Sequence, residues 1–176
     1  MRMKHEIAAA IILTLILAAV SARPAVALWG SSELETEKVA VTFARETARG
    51  GYQIMTAAEL KAAMDQKKDM LIVDTMPFED SYKKEHVPGA KQFLFPIPDM
   101  KTWDAKEAAG KSEQDFVQML GSDKNKLIVI YCGFVKCTRS HNGATWAVKN
   151  GYTNVYRYPG GIFAWKGAKY PTAEVK

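Results

Sequence analysis

"LIVIYCGFVKCTRSHNG", residues 127–143, holds both cysteines of the 176-residue chain, Cys132 and Cys137. Leu127–Tyr131 is a continuous apolar run, the pattern of a strand buried on both faces of a parallel sheet. The residues after the loop, "ATWAV", predict a helix that runs to about Asn150 and stops at Gly151. In sheets built this way ligands bind beyond the carboxyl ends of the strands. Cys132 stands at such an end.

The pattern repeats outward from this joint. "MLIVD" (Met70–Asp74) predicts a second buried strand, "KQFLFPIP" a short strand before Pro96, and "TNVYRYP" a last strand. Between them lie helical patterns. Thr56 with Glu59 forms a capping box for a helix carrying Leu60 and Met64, and Ser112 caps "SEQDFVQML" with Phe116, Met119 and Leu120 inward. Residues 33–49 predict a further helix, ended by Gly50-Gly51. Residues 99–111 read as polar and irregular. Strands alternating with helices predict an α/β fold with a mostly parallel sheet.

Residues 1–27 carry a basic start (Arg2, Lys4), an apolar run from Ile7 to Val20 and the small-residue end Ala25-Val26-Ala27. That is the pattern of a secretory signal peptide cut after Ala27, or alternatively after Ala22. The apolar run is shorter than the roughly 20 residues of a membrane-spanning helix. The expected organisation is therefore a signal peptide at 1–27, a helical extension at 28–51 and one domain at 52–176, exported to the periplasm. Removing three basic side chains and one acid from a formal charge of +5 leaves +3. This mild excess suits small anions; nucleic acid calls for a denser basic face. No second apolar span follows, so no membrane partner is expected after cleavage.

A loop between a strand end and a helix start exposes unpaired backbone N–H groups, which with the helix dipole form an anion cradle. Cys132 at its base is expected to ionise below the roughly 8.5 of a free thiol, with Lys136 and Arg139 adding positive charge. The result would be a nucleophile at neutral pH for anionic substrates. Cys137 reads as a resolving thiol, a ligand or a spectator. A disulfide between the two would close a short loop and add little as a staple, so redox chemistry or accidental oxidation is the preferred reading of such a bridge.

The chain resembles a single-domain rhodanese, a sulfurtransferase that carries sulfane sulfur as a cysteine persulfide. "LIVIYCGFVKCTRS" resembles the family's active-site strand and loop, "HVPGA" (His86–Ala90) its upstream signature, and "YPGGIFAW" (Tyr158–Trp165) its closing one. The likeness runs from about Tyr52 to Tyr170 and implies a rhodanese-like three-layer α/β/α fold. Carried over by position, Cys132 matches the persulfide-forming nucleophile. Gly133, Phe134, Val135, Lys136, Cys137, Thr138 and Arg139 match the substrate cradle, closed by Arg139-Ser140. His86 and Gly161 match structural positions.

The resemblance implies a small anionic donor, thiosulfate or polysulfide, and a thiol, sulfite or cyanide acceptor, with no metal or organic cofactor. Two departures stand out. Six residues separate Cys132 from Arg139, more than in the family's usual loop. Asp74-Thr75-Met76 stands where the family often has Asp-x-Arg, so either another base serves or that corner is apolar. Three other readings stay open: a metal site from Cys132, Cys137 and His141, a cysteine-based oxyanion enzyme of phosphatase or arsenate reductase type, and a non-catalytic binding module.

Overall fold

The computed structural model describes residues 25–175, with side chains from Gly30 onward. The signal segment expected from sequence lies almost wholly outside them. The elements are α1 (Ala25–Gly50), β1 (Gln53–Ile54), α2 (Ala57–Asp65), β2 (Met70–Asp74), a single π-helical turn (Phe78–Tyr82), β3 (Lys91–Gln92), α3 (Glu113–Leu120), β4 (Leu127–Tyr131), α4 (Arg139–Lys149), β5 (Val155–Tyr158) and α5 (Gly161–Gly167). No described helix is long and apolar enough to cross a membrane.

The chain divides into two compact units that part at Val41/Thr42. In the first, the described residues are helical, with Thr36 Oγ1 donating to the Ser32 carbonyl and Lys38 paired with Glu35. The helix already includes Ala25, ahead of the expected Glu33, and no proline stands between them to break it. The second unit starts within α1, so the boundary expected at 51/52 lies inside it. Thr42–Gly50 supply side chains to its interior, as described below.

In the second unit five parallel strands pair in the order β1-β5-β4-β2-β3. Side chains alternate across the strands. Leu71, Val73, Ile128 and Ile130 face one core with Phe93, Phe95, Phe116, Ala144 and Trp146. Ile72, Val129 and Tyr131 face the other with Leu60, Ile162 and Trp165. Helices thus cover both faces of a sheet whose central strands are buried and whose edge strands β1 and β3 are more exposed. This is the three-layer α/β/α architecture that the apolar runs of β2 and β4 predict.

Both capping boxes form: Thr56 with Glu59, and Ser112 with Asp115. Residues 99–111 are more ordered than their polarity suggests. Met100 and Ala108 are buried, and Trp103 packs edge-on to Phe93, Phe95 and Trp146. His86 fixes its turn, with Nδ1 2.8 Å from the Tyr82 carbonyl and its ring stacked on Tyr82.

Candidate active site

The register aligns Ile130 of β4 with Arg157 of β5, and Asp74 of β2 with Tyr131. The carboxyl ends of the three strands therefore meet beneath the loop 132–138. Two sets of N–H groups shape that loop. From outside, Ile162 and Phe163 at the start of α5 donate to the carbonyls of Cys132 and Gly133, each at 3.0 Å. Gly161 permits this approach: its φ is +58°, and a Cβ there would lie 2.1 Å from the Cys132 carbonyl oxygen. From within, Cys137 N–H donates to the Phe134 carbonyl at 2.9 Å, a tight turn that folds Cys137 back over Cys132.

The turn brings the two thiols together. Cys132 is fully buried and Cys137 is 7 % exposed; both are free. Cys132 Sγ lies 3.1 Å from the Cys137 carbonyl and 3.3 Å from Ser140 Oγ, in hydrogen-bond contact with the Cys137 thiol. Their acidities diverge. Burial pushes Cys132 well above an ordinary thiol, pairing with Cys137 pushes it further, and Ser140's N–H and hydroxyl do not offset this. The Cys137 thiol is held down at about 6, first by the hydrogen bond from Cys132, then by the N–H groups of Arg139 and Gly133 and the Arg139 charge, which together outweigh its own burial.

This corrects the expectation that the cradle acidifies Cys132. The N–H groups of Gly133 and Arg139 favour the Cys137 thiolate, and of the loop's donors only that of Ser140 acts on Cys132, too little to offset its burial. Lys136 is exposed. Arg139 is half-buried, with Nη1 donating to the Phe95 carbonyl. Thr138 Oγ1 donates to the Ile97 carbonyl. Phe134 and Val135 form the exposed rim, with Phe134 stacked 5.7 Å from Phe163. Ser140 is buried at the first turn of α4.

The acidity of Cys137 is open to a direct check. Alkylation of this thiol should be half-maximal near pH 6 and level above it, and the midpoint should rise in Cys132→Ala, which lacks the first of its stabilising contacts. A midpoint near 8.5 in the unaltered protein, the ordinary thiol value, would contradict the assignment.

Arg157 is the residue of the candidate site that sequence reading missed. It is fully buried. Nη1 pairs with Glu46 of α1 at 2.5 Å and donates to Tyr52 Oη at 3.2 Å. Nε donates to Ser140 Oγ at 3.0 Å and Nη2 to the Cys137 carbonyl at 3.0 Å. Phe43 lies 5.0 Å from the guanidinium. Because Ser140 Oγ accepts from Arg157, its own hydrogen is free to point at Cys132 Sγ. Arg157 therefore polarises the donor nearest that sulfur.

The network continues outward. Tyr52 Oη lies 2.8 Å from His141 Nδ1, and Arg49 Nη2 lies 3.0 Å from His141 Nε2 while pairing with Asp99. A guanidinium only donates, so Nε2 is the acceptor and Nδ1 carries the proton. Burial lowers the His141 pKa, in keeping with a neutral ring. Both ring nitrogens are thus engaged, and among the described residues no cluster of three His, Cys, Asp or Glu side chains could hold a metal. The Asp74-Thr75-Met76 corner is packed apolar: the Met76 methyl would lie 3.6 Å from a Cβ at Gly133. Asp74 is buried there and pushed up to about 6 by that burial, with Oδ1 accepting from Met76 N–H at 2.8 Å.

A family model described as the rhodanese-like domain matches residues 56–168, almost two thirds of the chain. The chain belongs to the rhodanese-like domain family. Solved structures of the rhodanese-like fold include a thiosulfate sulfurtransferase from Pseudomonas aeruginosa, 20% identical with a TM-score of 0.55 over 74% of this chain and 22% of that one. A Rhodopseudomonas palustris protein described as a possible tyrosine phosphatase is 20% identical with a TM-score of 0.55, over 77% of this chain and 93% of that one. A Bacillus halodurans protein is 18% identical with a TM-score of 0.54, over 74% and 83%. At these identities the likeness establishes the fold. A tRNA uridine(34) hydroxylase from Erwinia tasmaniensis is 47% identical over 47 residues, 26% of this chain and 13% of that protein. The match spans only that small share of its length.

Proposed function

We propose that this rhodanese-like protein is a sulfurtransferase that carries sulfane sulfur as a persulfide on Cys132. The observation that carries the reading is the placement of Cys132, buried at the end of β4 with its sulfur 3.1 Å from the Cys137 carbonyl and 3.3 Å from Ser140 Oγ, beside the acidic Cys137. A buried thiol is a poor nucleophile until its proton has somewhere to go. The Cys137 thiolate accepts that proton as Cys132 attacks the outer sulfur of thiosulfate or a polysulfide. The S–S bond of the donor breaks and sulfite, or a shortened polysulfide, leaves.

The anionic persulfide that remains is stabilised by the Ser140 N–H and hydroxyl, the latter polarised by Arg157. Arg139 acts through its backbone N–H and its charge. Gly133 to Thr138 shape the opening that admits a small anionic donor. A thiol, sulfite or cyanide then removes the sulfur. The pattern of residues 1–27 supports export to the periplasm as part of the same proposal.

Initial-rate kinetics test the two-step character. Varying thiosulfate at several fixed concentrations of a dithiol acceptor should give parallel double-reciprocal lines, the signature of a covalent intermediate. Intersecting lines would mean that donor and acceptor must be bound together, and the persulfide cycle would not stand.

A further inference from the structure

We infer that the sulfur on Cys132 leaves chiefly as hydrosulfide, displaced by Cys137, so that the protein is a dithiol-dependent reductase of sulfane sulfur. The inference rests on the proposed persulfide at Cys132 and goes beyond it in naming the acceptor: a side chain of the same loop.

Geometry favours the internal acceptor. The Phe134–Cys137 turn holds the Cys137 carbonyl 3.1 Å from Cys132 Sγ and keeps the Cys137 side chain buried in the same loop. Cys132 has no solvent exposure, so an external acceptor must open the loop, whereas Cys137 is already inside it. Well-oriented intramolecular groups reach effective concentrations on the order of 10⁵ M or more. Millimolar cyanide, sulfite or free thiol does not compete on those terms. The N–H groups of Gly133 and Arg139 and the Arg139 charge add to this, since they favour the thiolate, which is the attacking species.

The step balances. The proton that Cys137 took up during loading passes to the terminal sulfur of the persulfide, and the Cys137 thiolate then attacks the inner sulfur of Cys132–S–SH. The Cys132–Cys137 S–S bond forms as the bond to the outer sulfur breaks, and that sulfur departs with the electron pair and its proton as HS⁻. The sulfane sulfur is reduced and the two cysteines are oxidised. Each cycle therefore leaves a disulfide, which a reductant of the dithiol class must reopen by exchange. With thiosulfate as donor, one turnover yields one sulfite, one hydrosulfide and one loop disulfide. The extra loop length between Cys132 and Arg139 supplies the second thiol on which this outcome depends.

The test is a single turnover. Fully reduced protein, freed of small thiols and kept anaerobic, is given one equivalent of thiosulfate with no acceptor, and sulfite, sulfide and protein mass are measured. The expected result is sulfide equal to sulfite, with both cysteines lost to alkylation and no sulfur retained. Sulfite release with the sulfur kept on the protein and no sulfide would overturn the inference while leaving the persulfide reading intact. Absence of sulfite would overturn both. In Cys137→Ser, whatever sulfite is released should leave one sulfur atom on the protein and no sulfide. Sulfide equal to sulfite in that variant would also overturn the inference.

Discussion

The Cys132→Ser protein is expected to transfer no sulfur above the uncatalysed rate, because a hydroxyl cannot hold a persulfide. Cys137→Ser should behave differently. It keeps the sulfur-carrying thiol but loses the group that takes its proton, so loading slows near neutral pH. The loss should shrink as pH rises, because burial has raised the Cys132 pKa and ionisation must then come from solution. The check is the pH–rate profile of sulfite release in the two variants. If Cys132→Ser retains transfer while Cys137→Ser has none at any pH, the two roles are exchanged.

The second large effect is expected at Arg157. Replacing it by Met leaves Glu46 buried without its partner, and breaking a buried ion pair from one side costs about 3–5 kcal/mol. Urea unfolding should show that loss. The double variant Arg157→Met with Glu46→Leu removes both charges and should recover much of the stability. Transfer should not recover with it, because Ser140 Oγ and the Cys137 carbonyl still lack their donor. Recovery of both properties together would reduce Arg157 to a structural role.

The central joint of the fold was legible because its signal is local. β4 is an unbroken apolar run ending at a cysteine, and the pleat alternation then demands helices on both faces. The placement of Cys132 at a strand's carboxyl end follows from that alone. Arg157 was not legible. In "VYRY" a single charge reads as the solvent side of a half-exposed strand, and only Glu46, 111 residues earlier, turns it inward. The charge balance of the site thus rests on the last turns of α1, which sequence reading had set apart as an extension.

The acidity of the thiols was illegible for a different reason. Spacing places Lys136, Cys137 and Arg139 near Cys132, but it does not say which thiolate the N–H groups favour. Those of Gly133 and Arg139 favour Cys137, and of the loop's donors only that of Ser140 acts on Cys132. Residues 99–111 make a similar point. Their polarity predicts an irregular loop, whereas Trp103 anchors the segment in an aromatic cluster with Phe93, Phe95 and Phe116.

The central claim is that Cys132 carries the sulfur. It is tested most directly by reacting the reduced protein briefly with excess thiosulfate, quenching with an alkylating reagent and mapping the cysteine peptides by tandem mass spectrometry. The account predicts that the added sulfur at early times lies on Cys132, giving way to the Cys132–Cys137 disulfide. Added sulfur confined to Cys137, with Cys132 recovered as a simple alkylated thiol, would contradict it.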